Sequence, residues 1–556
     1  MRYFGMLLLT AALASCAAAQ PPSSAAAPTV RAQTSERAPS AEPAATLRSE
    51  ATAPPTLGTE ATAPAPATGA PLAQATLPAS AQLAPLDPTA PLDQPFDTAA
   101  QSRALLPQFE RDLDQTGAWN RYTIAANLDA RARTLGGRQR LEYTNRDSAA
   151  LGEIYFHLYP NLRDFGGKLT VSNVAVDGQA AAAETPRADL LRVRLAEPLQ
   201  PGAALTITLD FAARAPENAS RTRYGAFNKE NGVLALASAY PLVAVVRGGV
   251  WDTGPLNGIG DFVNAETSLY DVSLNGPPDW RLVTTGVAVA YQADRSRQQV
   301  RFVSGPQREF TIAAVQLEQA SADVDGTRVT SYFRSGSGAG GRTALQAAVQ
   351  ALQVFNQRYG RYPLAELDVI EIDARQFLGV EYPGLVMIEH ALYARPQDLE
   401  ITIAHEVAHQ WWYSLVGNDV QRASWLDEAL ASYSQVVYQE EIRGSAAAER
   451  ELDGFRQRYR QNLAAGRDAP VEQPNSSFRG NYVALVYGKA VLFYQALRIT
   501  LGDQQFSRFL HEYYAQHRYG YVRGEDVVQT ANGVCGCDIR PLYTDWITKS
   551  VPLKTP

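Results

Sequence analysis

The chain has 556 residues, of which 46% are apolar, and a formal net charge of −7. That length exceeds what one hydrophobic core serves, so two or three domains are expected, with enough apolar residues to fill them. The mildly acidic balance and the lack of Lys/Arg runs argue against nucleic acid as a partner and against a polybasic membrane patch.

At 1–16, a basic Arg2 precedes the apolar run Met6-Leu7-Leu8-Leu9-Thr10-Ala11-Ala12-Leu13. The run falls well short of the roughly 20 residues that span a bilayer, so it reads as a signal peptide. It ends in Leu13-Ala14-Ser15-Cys16, which resembles the bacterial lipobox. The expectation is an exported protein, lipid-anchored to the cell envelope through Cys16 rather than through a transmembrane helix. An ordinary signal cleaved near 17–19 is the alternative. Residues 17–104 are mostly Ala, Pro, Thr and Ser with almost no aromatics. Such a composition cannot offset its ordering entropy and reads as a disordered tether.

Over 105–330 the pattern is one of short alternating runs, among them Leu191-Arg192-Val193-Arg194-Leu195 and Leu205-Thr206-Ile207-Thr208-Leu209, separated by Gly, Asn, Asp and Pro. Period-two patterning of this kind predicts an all-β domain. The Gly/Ser-rich stretch 335–341 marks the boundary region. Beyond it, 331–556 reads as mostly helical α+β, with a helix over 344–359, a strand over 367–372 and long helices from Pro396 onward. Near the end stands Cys535-Gly536-Cys537. Two cysteines so close do not suggest a zinc site; a disulfide would close a very tight ring, and the plainer reading is a pair of small residues in a turn.

The chemistry is concentrated in the second half. In Thr402-Ile403-Ala404-His405-Glu406-Val407-Ala408-His409-Gln410-Trp411-Trp412, positions i and i+4 share one helix face, so His405 and His409 present two imidazoles to one metal ion. Glu406 stands beside them, placed to reach a water on the metal rather than the metal itself. This H-E-x-x-H pattern is the zincin signature. Eighteen residues then separate His409 from Glu428, in Trp425-Leu426-Asp427-Glu428-Ala429. A second helix folding back there supplies a third ligand and leaves the fourth zinc position open, as catalytic sites require. Trp411 and Trp412 are expected to pack the metal helix against its neighbours. His157, His390, His511 and His517 lack partners at ligand spacing.

These motifs resemble the aminopeptidase N/leukotriene hydrolase family of zinc metallopeptidases, the gluzincins, over roughly 105–556. The family carries H-E-x-x-H, eighteen residues, then Glu within W-L-N-E-G; this chain keeps Trp425, Leu426 and Glu428 but has Asp427 and Ala429 for Asn and Gly. Val486-Tyr487-Gly488-Lys489-Ala490 is similar to the family's tyrosine segment, and Gly379-Val380-Glu381-Tyr382-Pro383-Gly384-Leu385-Val386 to its G-A-M-E-N strand. The resemblance implies an N-terminal all-β, saddle-like domain followed by a thermolysin-like catalytic domain. It also implies one zinc ion on His405, His409 and Glu428, with Glu406 as general base toward the zinc-bound water and Tyr487 stabilising the oxyanion. Glu381 would hold the free α-amino group of a peptide, with Gly379 on the same substrate strand; a solvated edge-strand acid is the alternative for Glu381. The second amino anchor usual in the β-domain is not found near Ala235-Leu236-Ala237-Ser238-Ala239-Tyr240-Pro241. The chain also reads as a short form lacking the family's C-terminal domains, which would leave the cleft more open. The implied function is an aminopeptidase acting on peptides. An open-cleft zinc endopeptidase, or an inactive envelope lipoprotein that binds peptides, are the other readings.

Overall fold

The computed structural model describes residues 92, 96–115, 119–217, 224–256 and 258–550. The signal peptide, Cys16 and nearly all of the tether lie outside the described residues. Packed chain begins upstream of Leu105. In the short helix Thr98–Gln101, Gln101 is fully buried: its Nε2 donates to the Tyr270 carbonyl at 2.9 Å and its Oε1 accepts from the Gly305 amide at 2.9 Å. An anchor made of one buried amide leaves no hydrophobic periodicity by which to read it. Among the described residues no helix is long and apolar enough to cross a membrane.

The alternation read from the sequence becomes a β-rich N-terminal region. In strand Asn120–Asp129, Tyr122, Ile124 and Ala126 are buried while the residues between them are half-buried, as the two-residue period of a pleated strand demands. The strand sits within an eight-stranded sheet ordered Val287–Ala293, Gln298–Gln307, Ser268–Gly276, Asn120–Asp129, Thr134–Thr144, Ala204–Arg214, Lys168–Val176, Gln179–Ala180. Every neighbouring pair is antiparallel except Asn120–Asp129 with Ser268–Gly276. Two four-stranded sheets share its core, which includes Tyr122, Phe156, Leu234 and Tyr270.

A hairpin, Glu318–Val324 and Thr327–Phe333, leads into the helical region by joining its five-stranded sheet. Thr327–Phe333 pairs in parallel with Glu366–Ile372, which pairs in parallel with Leu385–Glu389; the two-residue strand Gly379–Val380 closes the edge antiparallel. Parallel neighbours need a crossover, and the helix Gly338–Arg358 supplies it. The Gly/Ser-rich stretch read as a boundary region runs from the 3-10 turn Ser335–Ser337 into its first turn. A Cβ on Gly341 would lie 2.2 Å from the Phe333 ring. Glycine there lets the helix press on the strand, at the expense of low helix propensity.

Helices Pro396–Ala408, Trp425–Arg443, Ser445–Ala464, Ala490–Leu501, Asp503–His517 and Gly524–Cys535 follow. Pro396 opens the first of them, where its missing N–H costs nothing. Trp411 and Trp412 are fully buried; their Nε1 atoms donate to the Gly360 carbonyl at 2.9 Å and to Ser434 Oγ at 3.2 Å, fixing the chain just past that helix as expected. The two regions are riveted by Arg308. Its buried guanidinium donates to the carbonyls of Tyr413 at 2.6 Å, Ala265 at 3.0 Å and Gly520. Cys535 and Cys537 form a disulfide across Gly536, which turns the chain at φ +63°.

Candidate active site

His405 occupies the last turn of helix Pro396–Ala408, and His409 follows one turn later at its C-cap, its amide still donating to the His405 carbonyl at 3.3 Å. Glu428 comes from the first turn of Trp425–Arg443. The two Nε2 atoms are 3.2 Å apart, and Glu428 Oε2 lies 3.2 Å from His405 Nε2 and 3.3 Å from His409 Nε2. A tetrahedral zinc ion with arms of about 2.0–2.1 Å presents edges of about 3.3 Å. The three donor atoms therefore describe one face of such a tetrahedron, and the residues fit the ion. The Trp412 carbonyl lies 2.9 Å from His409 Nδ1 and accepts from it, which directs the Nε2 lone pair inward. His405 Nδ1 is buried with no partner among the described residues.

The other predicted residues gather at this triangle. Glu406 is buried, and its carboxylate packs against Gly379: a Cβ on Gly379 would lie 2.4 Å from Glu406 Oε1. Glu381 follows the edge strand Gly379–Val380 yet is only 5% exposed, so it is no solvated edge acid. Tyr487 sits in the π-turn Leu485–Lys489, at φ −94° and ψ 20°. Such bulges open a helix where a side chain must be aimed. Its hydroxyl donates to Glu428 Oε1, and Arg458 Nη1 donates to its carbonyl at 2.5 Å. Lys489 plays a supporting part, donating to Asp468 and to the carbonyls of Ala469 and Lys549.

Residues 343–546 match the peptidase family M1 domain. The match lies within the helical region. Among curated proteins, aminopeptidase M1-B of Oryza sativa subsp. japonica is 26% identical over 239 residues, 40% of this chain and 27% of that protein. Aminopeptidase N of Lactococcus lactis subsp. lactis is 27% identical over 172 residues, 29% of this chain and 20% of that protein. The chain thus spans about a quarter of the length of the curated relatives it matches. The crystal structure of an M1 zinc metallopeptidase from Deinococcus radiodurans superposes with a TM-score of 0.61 at 19% identity, covering 78% of this chain and 94% of that one. At that identity the likeness establishes the fold, an all-β region followed by a helical one.

The electrostatics of the site are consistent with a bound cation. Burial pushes the carboxyls of Glu406, Asp427 and Asp261 well above their usual range, and each is raised further by Glu381 or Glu428. Burial likewise raises Glu381. Glu428 runs the other way: burial acts to raise it, but hydrogen bonds to His405 and then His409 hold it low. Burial acts to lower His409, and Glu381, Glu428 and Glu406 together hold it well above its ordinary value. No Lys or Arg figures among the main influences on these acids. Buried charge of one sign is tolerated only when it is balanced, and a divalent ion on His405, His409 and Glu428 does so.

Three acids of the site were not read from the sequence. Asp427 accepts from the Glu428 amide at 2.9 Å through Oδ1, while its Oδ2 is buried without a partner among the described residues. Glu309, from the β-region, is pushed up to about 7 by burial; it accepts from the Tyr413 hydroxyl at 2.5 Å and from Ser238 Oγ at 3.3 Å. Ser238 belongs to the very segment searched for a second anchor. Asp261 lies in the loop Gly258-Ile259-Gly260-Asp261, which no motif marks. An open cavity of about 920 Å³ on the β-region, lined by Leu128, Arg131, Lys168 and Trp280 among others, contains none of these residues.

Proposed function

We propose that this protein is a zinc-dependent aminopeptidase that removes N-terminal residues from peptides. The observation that supports this reading best is the tetrahedral donor face of His405, His409 and Glu428 with Glu406 and Glu381 buried beside it. Zinc held there would supply Lewis acidity, polarising the scissile carbonyl and lowering the pKa of water. Glu406 takes the proton from the attacking water and delivers it to the leaving amine nitrogen. The environment of Glu406 suits this exchange, because burial among other acids raises its proton affinity. Burial keeps the Tyr487 phenol far above its ordinary pKa, so it stays protonated and donates to the oxygen that gains charge. Glu381 pairs with the substrate's α-ammonium and sets cleavage at the first peptide bond. A buried carboxylate with no Lys or Arg partner among the described residues is suited to that role, and this favours the exo-acting reading over an endopeptidase. Export with a lipid anchor at Cys16 belongs to the proposal on the strength of the Leu13-Ala14-Ser15-Cys16 motif, and substrates would then be extracytoplasmic peptides.

The test is zinc-dependent hydrolysis of aminoacyl reporter amides beside matched peptides whose N-terminus is acetylated. Cleavage of free amines alone is expected. Equal cleavage of the acetylated peptides would replace this reading with an endopeptidase. A second expectation concerns Gly379. Gly379→Ala forces the Glu406 carboxylate from its seat, and a displacement near 1 Å is worth about 10²-fold in rate. Measured kcat is expected to fall on that order while zinc content holds; an unchanged kcat would show that Glu406 needs no such support.

A further inference from the structure

Just past the metal helix the chain adopts a backbone conformation that its surroundings must sustain. Tyr413 stands at φ +143°, in the region that glycine favours and L side chains seldom enter. Such outliers persist where neighbours over-determine them, and they cluster at functional sites. Here the neighbours are three consecutive buried residues of the β-region, Gln307, Arg308 and Glu309. Arg308 Nε donates to the Tyr413 carbonyl at 2.6 Å, and the Tyr413 hydroxyl donates to Glu309 Oε1 at 2.5 Å. Ser414 Oγ donates to Gln307 Oε1 at 3.1 Å. Ser238 Oγ donates to the other Glu309 oxygen at 3.3 Å, so the acid is itself fixed. Arg308 packs across Gly417, where a Cβ would lie 1.8 Å from its Cζ. Tyr413 is thus gripped at its backbone and at the tip of its side chain.

The peptide that Tyr413 shares with the residue before it serves the metal site. The Trp412 carbonyl accepts from His409 Nδ1 at 2.9 Å, and the Ser414 amide donates back to the His409 carbonyl at 3.0 Å. The Trp412 carbonyl and the Tyr413 nitrogen lie in one rigid plane, so the φ of Tyr413 sets where that carbonyl points. We infer that Glu309 is a positioning residue of the metal site: through Tyr413, and together with the Arg308 guanidinium, it aims the Trp412 carbonyl that orients His409. The inference rests on the zinc site read above and adds that its affinity is governed from the β-region. An outer partner fixes the tautomer and the ring of a ligating histidine, and losing one costs about 10- to 100-fold in metal affinity.

The experiment measures zinc affinity by competition with a chromophoric chelator, and the Tm of the metal-free protein, on the full chain. Tyr413→Phe keeps the ring and removes the hydroxyl that Glu309 holds. It is expected to weaken zinc binding by about 10-fold, the low end of that range, because the Trp412 carbonyl is loosened rather than removed. Glu309→Ala is expected to lose as much, and the double variant no more, since both changes delete one bond. Glu309→Gln keeps an acceptor for the hydroxyl and is expected to bind zinc as the wild type does. Tyr543→Phe is the control: its hydroxyl donates to Glu472 at 2.7 Å elsewhere in the helical region, and its loss is expected to lower the Tm alone. Unchanged zinc affinity in Tyr413→Phe overturns the inference, whatever its Tm. Equal weakening in Tyr543→Phe overturns it too, because the effect would then be one of general stability. Additive losses in the double variant, or a loss in Glu309→Gln as large as in Glu309→Ala, would contradict a hydrogen-bonded clamp. If the wild type binds no zinc, the metal-site reading fails and takes this inference with it.

Discussion

Glu406→Gln is expected to lower kcat by about 10²- to 10⁴-fold, the usual worth of a positioned general base, while fold and zinc content stay intact. The geometry separates this residue from the ligands. The donor atoms that meet at 3.2–3.3 Å belong to His405, His409 and Glu428, whereas Glu406 stands to one side with its carboxylate against Gly379. Glutamine matches that volume, so the contact with Gly379 survives, but an amide cannot accept the proton. Turnover measured beside metal content distinguishes the roles. Full turnover in the variant would remove Glu406 from the proton path, and loss of zinc would make it a ligand.

His409→Ala is expected to abolish stoichiometric zinc binding. Losing even an outer partner of a ligand costs about 10- to 100-fold in affinity, and this change removes the ligand itself. Stability should fall as well. Without the ion and its imidazole, Glu381, Glu406, Asp427 and Glu428 face one another in a buried space, and unbalanced buried charge costs about 3–5 kcal/mol. Melting curves test both parts. Zinc should raise the Tm of the wild type, because it binds only the folded state, and should leave the variant unmoved. A zinc-dependent rise of the same size in both proteins would place the metal elsewhere.

The legible parts of the site were those that local geometry encodes. His405 and His409 are one helical turn apart, so their shared face follows from the helix period, and Glu428 needed only a second helix folding back. The β-region was legible as alternation, though the parallel pairing of Asn120–Asp129 with Ser268–Gly276 was not, since its partners are remote in sequence. Asp261 and Glu309 were hidden for the same reason: neither has a local pattern, and only closure of the β-region onto the helical region brings their charges to bear on the other acids. The Gly/Ser stretch carries a packing role that its composition does not announce. Composition marks a boundary region there, and Gly341 also serves a helix that presses on Phe333. Gln101 shows the limit at the N-terminal edge, where two hydrogen bonds from one side chain secure a segment whose composition speaks for disorder.

The most direct test of the proposed zinc aminopeptidase activity is to strip the metal from the full chain and add zinc back while following hydrolysis of a free-amine aminoacyl amide. Turnover should vanish on stripping and return fully at one equivalent of zinc. Turnover that persists in verified metal-free protein, or that one equivalent fails to restore in correctly folded protein, would contradict a catalytic zinc on His405, His409 and Glu428.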